Sequence, residues 1–118
     1  MTGQIGTPVF MAPEIIVGSR GRYGRAADVY SFGVLLWALW SGSLPYKKLI
    51  EEDGVDFFQL SQRVAKGLRP DIPSSWPEPL RAMVMECWDN DPERRPSFEG
   101  LQEQLRSSVT TGDFDLFA

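Results

Sequence analysis

Two groups of residues are of the right types for chemistry. Gly18, Gly21 and Gly24 interleave with Arg20, Arg22 and Arg25. Such a mixture suits a phosphate, since glycine lets backbone N–H groups approach an anion and arginine neutralises it. The spacing is neither G-x-G-x-x-G nor the P-loop pattern, and no strand precedes it, so the stretch reads as a solvated basic connector. The second candidate is Cys87, the sole cysteine in a chain without histidine. No disulfide framework, Cys/His zinc cluster or His-based triad can then be assembled within the chain. Cys87 also falls on an apolar helical stripe, which makes it an inert core thiol rather than a nucleophile.

The elements that would position any site are those of one globular domain or part of one. A 118-residue chain with 42% hydrophobic and 24% charged residues is not disordered by composition. A net charge of -4 gives no basis for non-specific attraction to nucleic acid or to an anionic membrane surface. The first residues lack a basic segment followed by an apolar run, so no signal peptide is read and an intracellular, cytoplasmic location is expected.

Residues 26–42 are the organising stretch. Val29, Phe32, Val34, Leu35, Leu36, Trp37, Ala38, Leu39 and Trp40 leave no angular sector for water. A helix here is expected to be buried all round. Roughly 15 residues give about 22 Å, too short to span a bilayer, and Asp28, Ser31 and Gly33 interrupt the run. Gly42 is placed to close the helix as a C-cap. Asp28 sits in its first turn, where a carboxylate complements the dipole and can accept backbone N–H bonds.

In chain order, residues 1–14 are rich in glycine and proline and read as an extended, shaped loop, with Pro13 able to open a short helix through Glu14, Ile15 and Ile16. Residues 43–46 signal a turn, and 47–54 read as a polar, mixed-charge loop. Asp56 and Gln59 stand in capping-box relation, and Phe57, Leu60 and Val64 recur at helical spacing until Gly67; Phe58 lies off that stripe. Pro70, Pro73, Pro77 and Pro79 exclude regular structure from 69 to about 76. Leu80, Met83, Val84, Cys87 and Trp88 form the clearest amphipathic helix. Residues 89–96 read as a charged turn. Ser97 caps a last helix on which Phe98, Leu101 and Leu105 share a face. The tail, 110–118, alternates acidic and apolar residues and is expected to be disordered, a short docking peptide being the alternative. The reading is four helices and no strand.

Three motifs carry a resemblance beyond periodicity. Gly6-Thr7-Pro8-Val9-Phe10-Met11-Ala12-Pro13-Glu14, Asp28-Val29-Tyr30-Ser31-Phe32-Gly33-Val34-Leu35-Leu36-Trp37 and Asp91-Pro92-Glu93-Arg94-Arg95-Pro96-Ser97-Phe98 together resemble the C-terminal lobe of a eukaryotic protein kinase. The tyrosine-kinase-like serine/threonine kinases are the most similar group. The resemblance implies a mainly α chain: the C-terminal, helical lobe of the protein-kinase-like fold from the end of the activation segment onward, as an incomplete domain over residues 1–109.

It also implies roles. Gly6, Thr7, Pro8, Val9, Phe10 and Met11 would form the loop that receives the substrate residue following the phosphorylated hydroxyl, with Thr7 bonded to the catalytic aspartate and a nearby lysine. That is positioning, which supplies most of the barrier reduction in phosphoryl transfer. Glu14 would pair with Arg95. Asp28 would anchor the catalytic loop, and Leu35 and Leu39 would support the kinase's internal spine, the extra faces of the helix being covered by chain outside this sequence. Thr2 resembles a phosphorylatable activation-segment position; an unmodified loop residue fits equally well.

The departures limit the activity. These residues hold no Gly-rich loop, ATP-anchoring lysine, His-Arg-Asp loop or Asp-Phe-Gly metal site. They offer no catalytic residue and no metal ligand, so the chain alone is expected to transfer no phosphate and to need no cofactor. The resemblance implies ATP and magnesium for a full-length kinase, with protein substrates, or a kinase partner, and the missing N-terminal lobe and catalytic loop as its counterparts. The alternative is a stand-alone, non-catalytic, kinase-derived interaction module that uses the Phe57/Phe58 helix and the acidic tail.

Overall fold

The computed structural model describes residues 8–16 and 24–111. A short 3-10 turn, Pro8–Phe10, is followed by α1 (Pro13–Ile16), α2 (Arg25–Ser41), α3 (Lys47–Glu51), α4 (Phe57–Ala65), α5 (Glu78–Cys87), a second 3-10 turn at Pro92–Arg94, and α6 (Phe98–Thr111). No strand occurs among the described residues. The expectations for Thr2, Gly6 and Thr7, for the glycine-arginine connector before Gly24, and for the tail after Thr111 lie outside them. Residues 110 and 111, assigned to that tail, continue α6.

α2 is the central element and packs chiefly on α5. Ala27, Val29, Tyr30, Gly33, Val34, Leu36 and Trp37 are buried on it. Gly33 is required by this contact, since a Cβ there would stand 2.5 Å from Cys87 Cβ. Gly42 ends the helix in the left-handed region at φ 73°, donating its N–H to Ala38 O. The expectation of burial all round is corrected. Leu35 is 45% and Leu39 71% exposed, and Asp28, on the same side of the helix, is exposed too. α5 buries the side of α2 that carries Gly33, and no described element covers Leu35 and Leu39 in the same way.

The remaining elements follow local signals. Leu80, Met83, Val84, Cys87 and Trp88 are all buried. Burial, with the Glu86 carboxylate adding to it, pushes the Cys87 thiol up to about 12. The capping box is closed: Asp56 Oδ1 accepts from Gln59 N at 2.8 Å and Gln59 Oε1 accepts from Asp56 N at 3.1 Å. Ser97 Oγ accepts from Gly100 N at 3.0 Å at the head of α6.

Two more expectations need correction. Residues 47–51 are helical, not loop, because Tyr46 enters α3 in the left-handed region at φ 59° with its ring buried. Such a conformation is rare for a bulky residue and is held by tertiary packing. Phe57, expected on the buried stripe of α4, is 50% exposed, and Phe58 is 68% exposed. Both stand in the first turn, beyond the reach of the core that covers Leu60 and Val64.

Candidate functional site: the loop before α1 and its anchors

The segment with Val9, Phe10 and Met11 is fixed from two sides. Ser31 Oγ, on α2, donates to Phe10 O at 2.7 Å, which pins the 3-10 turn to the central helix. Phe10, Met11, Ala12, Ala27, Asp28 and Ser31 line a cavity of about 130 Å³ between turn and helix. Glu14, one turn further, meets Arg95 across 81 residues of sequence. The pair is bidentate: Arg95 Nη1 donates to Glu14 Oε2 at 2.8 Å and Nη2 donates to Oε1 at 3.0 Å. The Arg95 side chain is fully buried and that of Glu14 is 11% exposed.

Arg95 satisfies its other donors on main chain. Nη1 also donates to Ala26 O at 2.9 Å and Nε to Asp89 O at 2.9 Å. One guanidinium thus ties α1, the head of α2 and the turn before α6. A buried pair of this kind adds little net stability, but removing either partner strands a charge at a cost of about 3–5 kcal/mol. Its use is geometric, because the fork admits one orientation.

Tyr30 lies under the pair. Its ring is fully buried, and the guanidinium carbons of Arg95 and Arg69 each stand 5.0 Å from the ring centroid. Burial raises the Tyr30 phenol, and the two cations partly oppose that rise. Sequence reasoning missed Ser31 and Arg69. Arg69 sits beside Pro70 in a stretch read as irregular, and its partners Trp88 O and Asn90 are 19 and 21 residues away, so no local pattern marks it.

The other residues singled out on α2 stand apart from this cluster of bonds. Asp28 is exposed at the head of the open stripe, and Leu35 and Leu39 share its side of the helix. Among the described residues no three His, Cys, Asp or Glu side chains cluster as metal ligands. What the arrangement can do is hold the segment before α1 in one shape.

Comparisons with known proteins identify the family. Residues 2–105 match the family described as protein tyrosine and serine/threonine kinase. A probable serine/threonine-protein kinase of Dictyostelium discoideum is 44% identical over 106 residues, covering 89% of this chain and 11% of that protein. The dual specificity protein kinase shkA of the same organism is 37% identical over 108 residues, covering 91% and 19%. Human mitogen-activated protein kinase kinase kinase 11 is 41% identical over 103 residues, covering 86% and 11%. The chain therefore spans between about a tenth and a fifth of the length of these relatives. With its helical architecture and its match over residues 2–105, the chain belongs to the protein tyrosine and serine/threonine kinase family, as a C-terminal, helical part of the kinase domain.

Proposed function

We propose that this chain is the substrate-facing part of a serine/threonine protein kinase domain, whose full-length form uses ATP and magnesium to phosphorylate protein substrates. The observation that carries the reading is the bidentate, buried Glu14–Arg95 pair, which fixes the segment following Met11 to the helical core. In this reading Gly6, Thr7, Pro8, Val9, Phe10 and Met11 receive the substrate chain, and Thr7 helps place the attacking hydroxyl. Asp28 anchors the catalytic loop, and Leu35 and Leu39 carry the internal spine, which gives the open stripe of α2 its use. Thr2 is a candidate for activating phosphorylation. The catalytic base, the metal ligands and the nucleotide site belong to chain outside these residues. No helix among the described residues is long and apolar enough to cross a membrane, and an intracellular, cytoplasmic setting fits an ATP-dependent reaction.

A second reading, a non-catalytic interaction module, draws support from the exposed Phe57 and Phe58. One experiment separates the two. The endogenous product is captured with an antibody to α6, its intact mass is recorded, and it is assayed for ATP-dependent phosphorylation of a Ser/Thr peptide library. A species larger by about 150 residues or more that phosphorylates the library supports the kinase reading. A species near 13.3 kDa without activity, whose melting temperature ignores Mg·ATP, supports the module.

A further inference from the structure

We infer that Arg69 is a positioning residue for the substrate-side segment, acting through the Tyr30 ring on Arg95 and so on Glu14. The inference rests on the kinase reading for its consequence, but not for its geometry. Arg69 is held as firmly as Arg95. Its Nε donates to Trp88 O at 2.8 Å, Nη1 to Leu68 O at 2.7 Å and Val64 O at 2.9 Å, and Nη2 to Asn90 Oδ1 at 3.0 Å. These bonds join the end of α4 to the turn after α5 and leave the guanidinium no freedom to swing away from the ring.

Arg69 and Arg95 both stand 5.0 Å from the Tyr30 centroid. Two cations this close to one ring repel each other unless negative charge lies beside them. Glu14 supplies one carboxylate to Arg95, and the negative face of the ring attracts both cations. Tyr30 is fully buried and its orientation is set by what packs on it. A clamped Arg69 therefore fixes the ring, the ring fixes Arg95, and Arg95 has one geometry in which it can grip Glu14. α1 also packs on α4, so the segment is held at both ends of this chain of contacts.

The test is hydrogen exchange on the full-length product, read at residues 9–16, together with steady-state kinetics on a peptide substrate. Arg69→Gln is expected to speed exchange at 9–16 by about tenfold, and Tyr30→Leu to do the same. Adding Arg69→Gln to Tyr30→Leu should give no further rise at 9–16, since the route is already cut. Arg69→Lys keeps a cation by the ring but loses the forked bonds, and should open 9–16 less than Arg69→Gln while loosening the end of α4. Asn90→Ala, which removes one of the bonds that clamp Arg69 and the bond to Ala65 O, should speed exchange at 9–16 less than Arg69→Gln does. In kinetics, Arg69→Gln should raise KM for the peptide by about tenfold with KM for ATP unchanged; a merely destabilised enzyme would lose active fraction and keep both. Additive rises in the double variant, or equal opening by Lys and Gln, would overturn the inference. If the wild-type product transfers no phosphate, the kinase reading fails and the exchange pattern alone decides the role of Arg69.

Discussion

The two sides of α2 are similarly apolar and have opposite surroundings. One side carries Val29, Gly33, Val34 and Trp37 into the core, with Cys87 Cβ so near Gly33 that no side chain fits. The other carries Leu35 and Leu39 into open space, with the exposed Asp28 at its head beside the 3-10 turn. Apolar composition tells which residues avoid water when a partner exists; it does not say whether the partner is in the same stretch of chain. The packed side accounts for how these residues fold, and the open side has no such account within them.

The largest effect should fall where the packed side meets the segment before α1. Arg95→Ala leaves Glu14 without its partner in a nearly buried position, and the loss should be about 3–5 kcal/mol by urea unfolding. Arg94→Ala, whose contact with Asp91 is a surface pair at 3.8 Å, should cost less than about 1 kcal/mol. Equal losses would mean that the buried fork does not organise this end of α2.

Next comes the α2–α5 seam. Gly33→Ala places a methyl group against Cys87 Cβ and should cost about 1–3 kcal/mol through overpacking. Cys87 reports on the same seam. With its thiol raised to about 12, the thiolate is scarce at about pH 8–9, so a thiol reagent should label the native wild type slowly across that range and label Gly33→Ala faster. Rapid labelling of wild type at the lower end of that range would show that the seam is already open.

Much of this packed side was legible because it rests on local rules. The stripe from Leu80 to Trp88 follows helical period, Gly42 has the freedom of a C-cap, and Asp56, Gln59 and Ser97 announce helix starts by side-chain chemistry. What could not be read depends on contacts distant in sequence. α3 is entered through Tyr46, a residue type that gives no sign of a left-handed backbone. Arg69 looks like part of a proline-rich connector until Trp88, Asn90 and Tyr30 converge on it. The Glu14–Arg95 pair joins residues 81 positions apart and was foreseen only through resemblance, since many other acid and base pairings satisfy composition equally well.

A smaller effect tests the local rules by themselves. Asp56→Ala opens the capping box of α4 and should cost about 1 kcal/mol, read as a lower urea midpoint with unchanged slope. Because α4 packs on α1, a larger loss would indicate that the helix start also supports α1 and the segment before it.

The smallest effect in this chain should come from the open side, and it is the one that sharpens the comparison most. Leu39 is 71% exposed, so Leu39→Ala removes little buried surface from the 118-residue chain and should shift its stability by no more than about 0.5 kcal/mol. In a longer kinase chain, where the proposed spine role would place further chain over Leu35 and Leu39, the same substitution would delete a buried side chain and should cost about 2–5 kcal/mol. The contrast between the two measurements, rather than either alone, decides whether the stripe is a core face waiting for its cover. A small effect in both would mean that α2 keeps an exposed leucine stripe in the longer protein, and the spine role of Leu39 would have to be abandoned.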